Sequence, residues 1–191
     1  QFLRASYNLS NKYILEGTVR RDGSSRFGAN NKYGIFWAAS AGWIVSQEAF
    51  LKNATFIDFL KITGSYGTAG NDRIGNFSSL ALYGGGVASD YLGTAGLRPI
   101  QTPNADLTWE ETAQLDFGIS TKLFNNFVDL SVNWYDKRTD GTLLDVPYPF
   151  TTGFANASQN IGKMQNTGFD IDLTFNIIQK SHISLVMCVV V

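Results

Sequence analysis

The side chains with the most chemistry to offer in this 191-residue sequence are carboxylates, and their spacing decides what they can do. Asp170 and Asp172 are two residues apart, so in an extended strand both project from one face. Asp116 and Asp129 hold matching positions in two other alternating segments, and the four together would line a watery interior face that sets polarity and selectivity. Glu110 and Glu111 are neighbours, which in a strand sends them to opposite sides and excludes an acid–base pair. The loop Asp22–Gly28 brings one carboxylate, a poor set of donors for a hard cation, and is better explained as a plain turn-rich connection. His182 beside a serine would need an orienting third group and oxyanion donors to make a hydrolase. It is the single histidine and Cys188 the single cysteine, so neither a histidine metal site nor an internal disulfide can be built. Catalysis, a resident cofactor and a metal centre are therefore not expected.

The elements that must carry these carboxylates are long strands. Within Leu107–Asp140, Ala113, Leu115, Phe117 and Ile119 alternate with Gln114, Asp116, Gly118 and Ser120, a period of two. Val128, Leu130, Val132 and Trp134 alternate with Asp129, Ser131, Asn133 and Tyr135, and Asn125-Asn126 marks the turn between the arms. Soluble strands commonly stop at about five or six residues, whereas a tilted strand crossing a bilayer needs about nine to eleven. This hairpin, with arms of more than ten residues, suits a membrane barrel.

The remaining segments repeat the pattern. Strands are predicted over Gln1–Leu9, Tyr13–Arg21, Lys32–Ser46, Ile57–Tyr66 and Asn166–Ile178, with a short β segment over Phe77–Tyr83 and a less regular eighth strand after Ser181. Connections alternate between short (10–12, 47–56, 124–126) and long (22–31, 67–106, 141–165), and all the short ones fall on one edge. The predicted fold class is all-β: an antiparallel up-and-down transmembrane β-barrel segment of seven or eight long strands, with short periplasmic turns and long extracellular loops. Aromatic placement suggests two interfacial girdles, with Trp109, Trp134 and Tyr66 near the long-loop edge and Tyr13, Trp43, Phe124 and Phe127 near the short-turn edge. Tyr83, Tyr91 and Phe150 in the long loops are candidates for stacking on a ligand at the mouth.

Composition agrees with that class. Aromatics make up 14% of the chain beside 19 glycines, and a net charge of −1 without like-charge blocks gives no footprint for nucleic acid. There is no apolar run of about 18 residues to make a membrane-spanning helix. The chain begins at Gln1 inside a strand, with no initiator Met or signal peptide, so a piece of a longer protein is expected. Residues 1–178 form the barrel segment in this division, and 179–191 form an atypical apolar tail that suggests truncation or a frame shift.

Several ordered motifs carry a family resemblance. They are Arg20-Arg21-Asp22-Gly23-Ser24-Ser25-Arg26-Phe27-Gly28, Asn31-Lys32-Tyr33-Gly34-Ile35-Phe36, Leu107-Thr108-Trp109-Glu110-Glu111-Thr112, Tyr135-Asp136-Lys137-Arg138-Thr139, and Asn166-Thr167-Gly168-Phe169. Together with Pro147–Phe154, they resemble the barrel of the SusC/RagA family of TonB-linked outer-membrane proteins. The resemblance implies a plugged barrel of about 22 strands, set in outer-membrane lipid and working with a surface lipoprotein lid. It also implies import of glycans or peptides driven through TonB. A soluble or secreted β-rich glycan-binding module is the alternative, and it would show short strands and balanced loops.

Overall fold

A computed structural model describes residues 1–52, 54–86, 89–180 and 183–190. Strands β1 (Phe2–Leu9), β2 (Tyr13–Gly23), β3 (Tyr33–Ile44) and β4 (Ile57–Asn71) are followed by the short strands β5 (Leu82–Gly85) and β6 (Leu97–Gln101). Then come β7 (Glu110–Leu123), β8 (Val128–Pro147), β9 (Asn156–Lys180) and β10 (Ile183–Val190). The eight long strands form one antiparallel sheet in the order β1-β2-β3-β4-β7-β8-β9-β10, and β5 and β6 form a separate two-stranded ribbon. The sheet does not close on itself: β1 and β10 are its edges.

Register follows from the turns. Ser10 and Asn11 both adopt positive φ (53° and 55°), and the Lys12 amide donates to the Leu9 carbonyl at 3.0 Å. Two consecutive left-handed residues give the twist that a tight hairpin requires. The β7–β8 turn takes three such residues, Phe124, Asn125 and Asn126, and the Asn126 amide donates to the Asp58 carboxylate at 2.9 Å. Both turns fix which side chains share a face. Tyr7, Leu15, Ala41, Gly64, Phe117, Trp134 and Phe169 stand directly opposite one another across seven strands. One residue along, Ser6, Glu16, Ser40, Ser65, Asp116, Tyr135 and Gly168 make the matching row on the other face.

The first row and its neighbours are open to the surroundings: Phe169 is 65% exposed, Phe117 54% and Leu15 52%. A water-soluble sheet would cover such a face with another layer. The buried apolar residues number five among those described, and three of them, Phe27, Phe36 and Leu107, gather at the long-connection end.

Several sequence boundaries move. β4 continues five residues past Tyr66 to Asn71, so Tyr66 lies inside the strand, below its outer end. Most of 141–165 is strand, because β8 and β9 remain paired from Asp140↔Lys163 up to Pro147↔Asn156, leaving Tyr148–Ala155 as the connection. Two register shifts near Thr142 absorb the irregularity, with Gly141 at φ +68° supplying the left-handed residue that such a bulge uses. The short β segment falls at Leu82–Gly85, later than Phe77–Tyr83, where it finds a partner in β6. The eighth strand does form: Ile183–Val190 pairs antiparallel with Asp172–Lys180. His182 lies outside the described residues.

Candidate substrate-facing wall and mouth

The face opposite the apolar row carries the polar groups. Asp116, Asp129, Asp170 and Asp172 all belong to it by register, opposite Tyr135, Lys122, Asn133 and Ser131 respectively. Asp116 is the best held: its carboxylate accepts from Gln114 Nε2 at 2.8 Å and Ser65 Oγ at 3.2 Å. Asp129 lies 3.7 Å from Lys122 Nζ, and Asp170 and Asp172 are exposed. On the same wall Glu16 pairs with Arg4 at 2.7 Å, and a polar hollow of about 270 Å³ forms among Glu16, Thr18, Ser40, Thr112, Gln114 and Asp116. These carboxylates are spread over four strands beside hydroxyl and amide partners and two cations, Arg4 and Lys122, a surface for wetting and for weak, distributed contacts. No group of three or more metal-ligating side chains occurs among the described residues.

Trp43 and Trp134 project from the apolar face, Trp43 stacked on Tyr13 (centroids 6.4 Å apart) and Trp134 on Phe117 (6.1 Å). Trp109 departs from the girdle expected of it. Its ring is half-buried against Phe27 (4.9 Å) and Phe36 (5.5 Å), the latter from the face of β3 opposite Trp37. The reason lies in tertiary packing: loop 24–32 folds back onto the segment preceding β7, and the Gly28 amide donates to the Leu107 carbonyl at 3.3 Å. A Cβ on Gly28 would collide with the Ala105 carbonyl, so only glycine allows that approach.

Three asparagines fasten this segment. Asn31 Nδ2 donates to the Asp106 carbonyl at 3.1 Å, and Asn104 Nδ2 to the Ser158 carbonyl at 3.0 Å. Asn160 accepts from the Thr108 amide at 3.0 Å and donates to the Thr108 and Gly141 carbonyls, both at 2.9 Å. The strap 102–108 thus lies against the outer half of β8–β9, and a cavity of about 330 Å³ opens between them, lined by both. Tyr148 is on its wall. Tyr83 and Tyr91 do not line it; they stand on or beside the β5–β6 ribbon, 67% and 77% exposed. Phe150 begins a short 3-10 turn, Phe150–Thr152. Neither Tyr148 nor Gln159 is marked by local sequence pattern, since the cavity joins segments about fifty residues apart.

At the opposite edge, Glu48 in the β3–β4 connection gathers donors from three elements. Tyr13 Oη lies 2.8 Å away, Lys12 Nζ 3.1 Å and Trp43 Nε1 3.4 Å. The Tyr13 hydroxyl, then the Lys12 ammonium, hold its carboxyl below the usual glutamate range.

The geometry matches known proteins at two levels. The family model "TonB dependent receptor-like, beta-barrel" matches residues 1–185. The chain belongs to this TonB-dependent receptor barrel family. Among curated TonB-dependent receptors, P39 of Formosa agariphila is 44% identical over 172 residues, covering 90% of this chain and 16% of that protein. TonB-dependent receptor SusC of Bacteroides thetaiotaomicron is 33% identical over 184 residues, covering 90% of this chain and 18% of SusC. The structure of the RagAB peptide importer in its closed-closed state superposes with a TM-score of 0.85 at 34% identity, covering 94% of this chain and 20% of that one. The chain spans about a fifth of the length of these receptors.

Proposed function

We propose that this chain is part of the wall of a TonB-dependent outer-membrane importer that takes up oligosaccharides or peptides. The observation that carries the reading is the contrast between the two faces: an uncovered apolar row across seven strands, five of its seven residues exposed, and a carboxylate- and hydroxyl-bearing row one residue along. Such a wall is stable with lipid on one side and water on the other. Strand lengths of 11 to 25 residues in β2, β3, β4, β7, β8 and β9 meet or exceed a membrane crossing. A soluble glycan-binding module would have to leave that apolar face wet, which disfavours it.

In this reading the intact receptor moves a nutrient and performs no chemistry on it. A surface lipoprotein lid captures substrate outside the cell, TonB supplies the energy, and Asp116, Asp129, Asp170 and Asp172 face the lumen. Trp43 and Trp134 sit at the two membrane interfaces. The test is uptake of fluorescent oligosaccharides and peptides by cells carrying the complete gene, with and without a functional TonB. Uptake that disappears with TonB or with the receptor supports the reading, and equal uptake in all strains refutes it.

A further inference from the structure

The cavity between the strap and the β8–β9 hairpin has a chemistry of its own. Its volume of about 330 Å³ is at the lower end of the ~300–1,000 Å³ of small-molecule sites, room for a sugar ring or two. The amides of Asn104 and Asn160 are already committed to the strap. Other groups remain available. Tyr148 Oη accepts from Gln159 Nε2 at 2.7 Å, which leaves the tyrosine proton to donate and Gln159 Oε1 to accept. Asp106 joins the strap through its backbone N–H and C=O, so its carboxylate is not part of that fastening. Thr102 adds a hydroxyl, and no Lys or Arg lines the space.

We propose that this cavity binds a neutral sugar unit of the incoming oligosaccharide and discriminates against acidic sugars. The assignment rests on the uptake reading for its route and on these side chains for its chemistry. Each hydroxyl of a neutral ring both donates and accepts, which suits Tyr148, Gln159 and Thr102 together, while Asp106 accepts from ring hydroxyls. The half-buried Tyr148 ring offers an apolar surface for the C–H face of the sugar. A uronic acid or sulfated sugar would set a like charge near Asp106 with no cation lining the cavity to offset it. A peptide would offer its ammonium to Asp106 and its backbone amides to the tyrosine–glutamine pair, but has no obligatory flat C–H face for the Tyr148 ring, so peptides are the competing outcome.

The experiment uses the complete receptor in detergent and titration calorimetry with maltohexaose, xylohexaose, mannohexaose, a galacturonic acid oligomer and a mixture of hexapeptides. Wild type is compared with Tyr148→Ala, Tyr148→Phe and Gln159→Leu, each checked for an unchanged melting temperature. We expect at least one neutral hexasaccharide to bind, tenfold or more weakly in Tyr148→Ala and Gln159→Leu and by a smaller factor in Tyr148→Phe, with the acidic oligomer not binding. The proposal is overturned by unchanged affinities in the folded variants, by no neutral hexasaccharide binding, or by losses confined to the peptides or the acidic oligomer. TonB-dependent uptake that persists while the variants bind normally removes this site and leaves the importer; absence of any uptake by wild type removes both.

Discussion

Replacing Asn160 tests how the strap is held. Its amide makes three hydrogen bonds, at 3.0, 2.9 and 2.9 Å, to two half-buried backbone positions, Thr108 and Gly141. At a net ~0.5–1.5 kcal/mol for each of three bonds, Asn160→Ala should cost about 1.5–4.5 kcal/mol of local stability. That raises the population of the released strap roughly ten- to two-thousandfold, since ~1.4 kcal/mol is a factor of ten. Asn160→Asp is the sharper variant, because it conserves shape and still accepts from the Thr108 amide. It replaces the donating amide by lone pairs facing the Thr108 and Gly141 carbonyls, so it should be at least as damaging as alanine. The assay is hydrogen exchange on peptides spanning 104–110 in the complete receptor, with β4 and β7 peptides as internal reference. Faster exchange confined to 104–110 in both variants is expected. Exchange in Asn160→Asp equal to wild type would refute the reasoning, since it would mean that the side chain fills space without fastening anything.

Other perturbations follow from the same geometry. Gly28→Leu puts a side chain into the Ala105 carbonyl and should free loop 24–32, seen as new cleavage at Arg26 by brief trypsin treatment; persistent resistance would contradict the packing. Ile119→Arg on the apolar face should lower folding stability in vesicles by ~2–4 kcal/mol near mid-bilayer, while arginine at the exposed Asp170 on the polar face should change it little; equal costs would deny that the faces differ. Glu48 is held below its ordinary range, so its contribution to the short-turn edge is complete above the unfolded-state glutamate value and is lost as pH falls through the depressed folded one. Hydrogen exchange around 45–48 should therefore accelerate on acidification across that window in wild type, after correction for intrinsic rates, and show no such step in Glu48→Gln.

How much of this is legible in the sequence depends on the apolar band. Inside the apolar band the alternation is written residue by residue, as in Leu115, Phe117 and Ile119 against Gln114, Asp116 and Gly118, and the structure keeps those faces. Beyond the band, neither face is required to be apolar. Asp136, continuing the face of Trp134, accepts from Arg138, Gln165 and Thr167, so the β8–β9 ladder goes on while its hydrophobic period vanishes. Pro147, Pro149 and Gly153 then made 141–165 look like one long loop, although only its tip is one. Trp109 was misplaced for a related reason: its partner Phe27 comes from a loop more than eighty residues earlier, and no local pattern announces that meeting. The mouth cavity was invisible on the same ground, whereas the shared face of the four aspartates followed from parity alone.

The length of β8 has a mechanical corollary. At ~3.3 Å per residue, its 20 residues extend roughly 65 Å, and a tilt near 45° turns this into a rise of about 45 Å against a hydrocarbon core of about 30 Å. In the proposed importer, something like 15 Å of cross-linked ribbon then stands above the lipid as a stiff parapet. A phage or antibody that recognises the cell by its surface would meet a relief of fixed shape there. Escape from such recognition would come most cheaply by recolouring exposed side chains such as Lys163 and Asp140, because shortening the ribbon would also dismantle the shelf on which the strap rests.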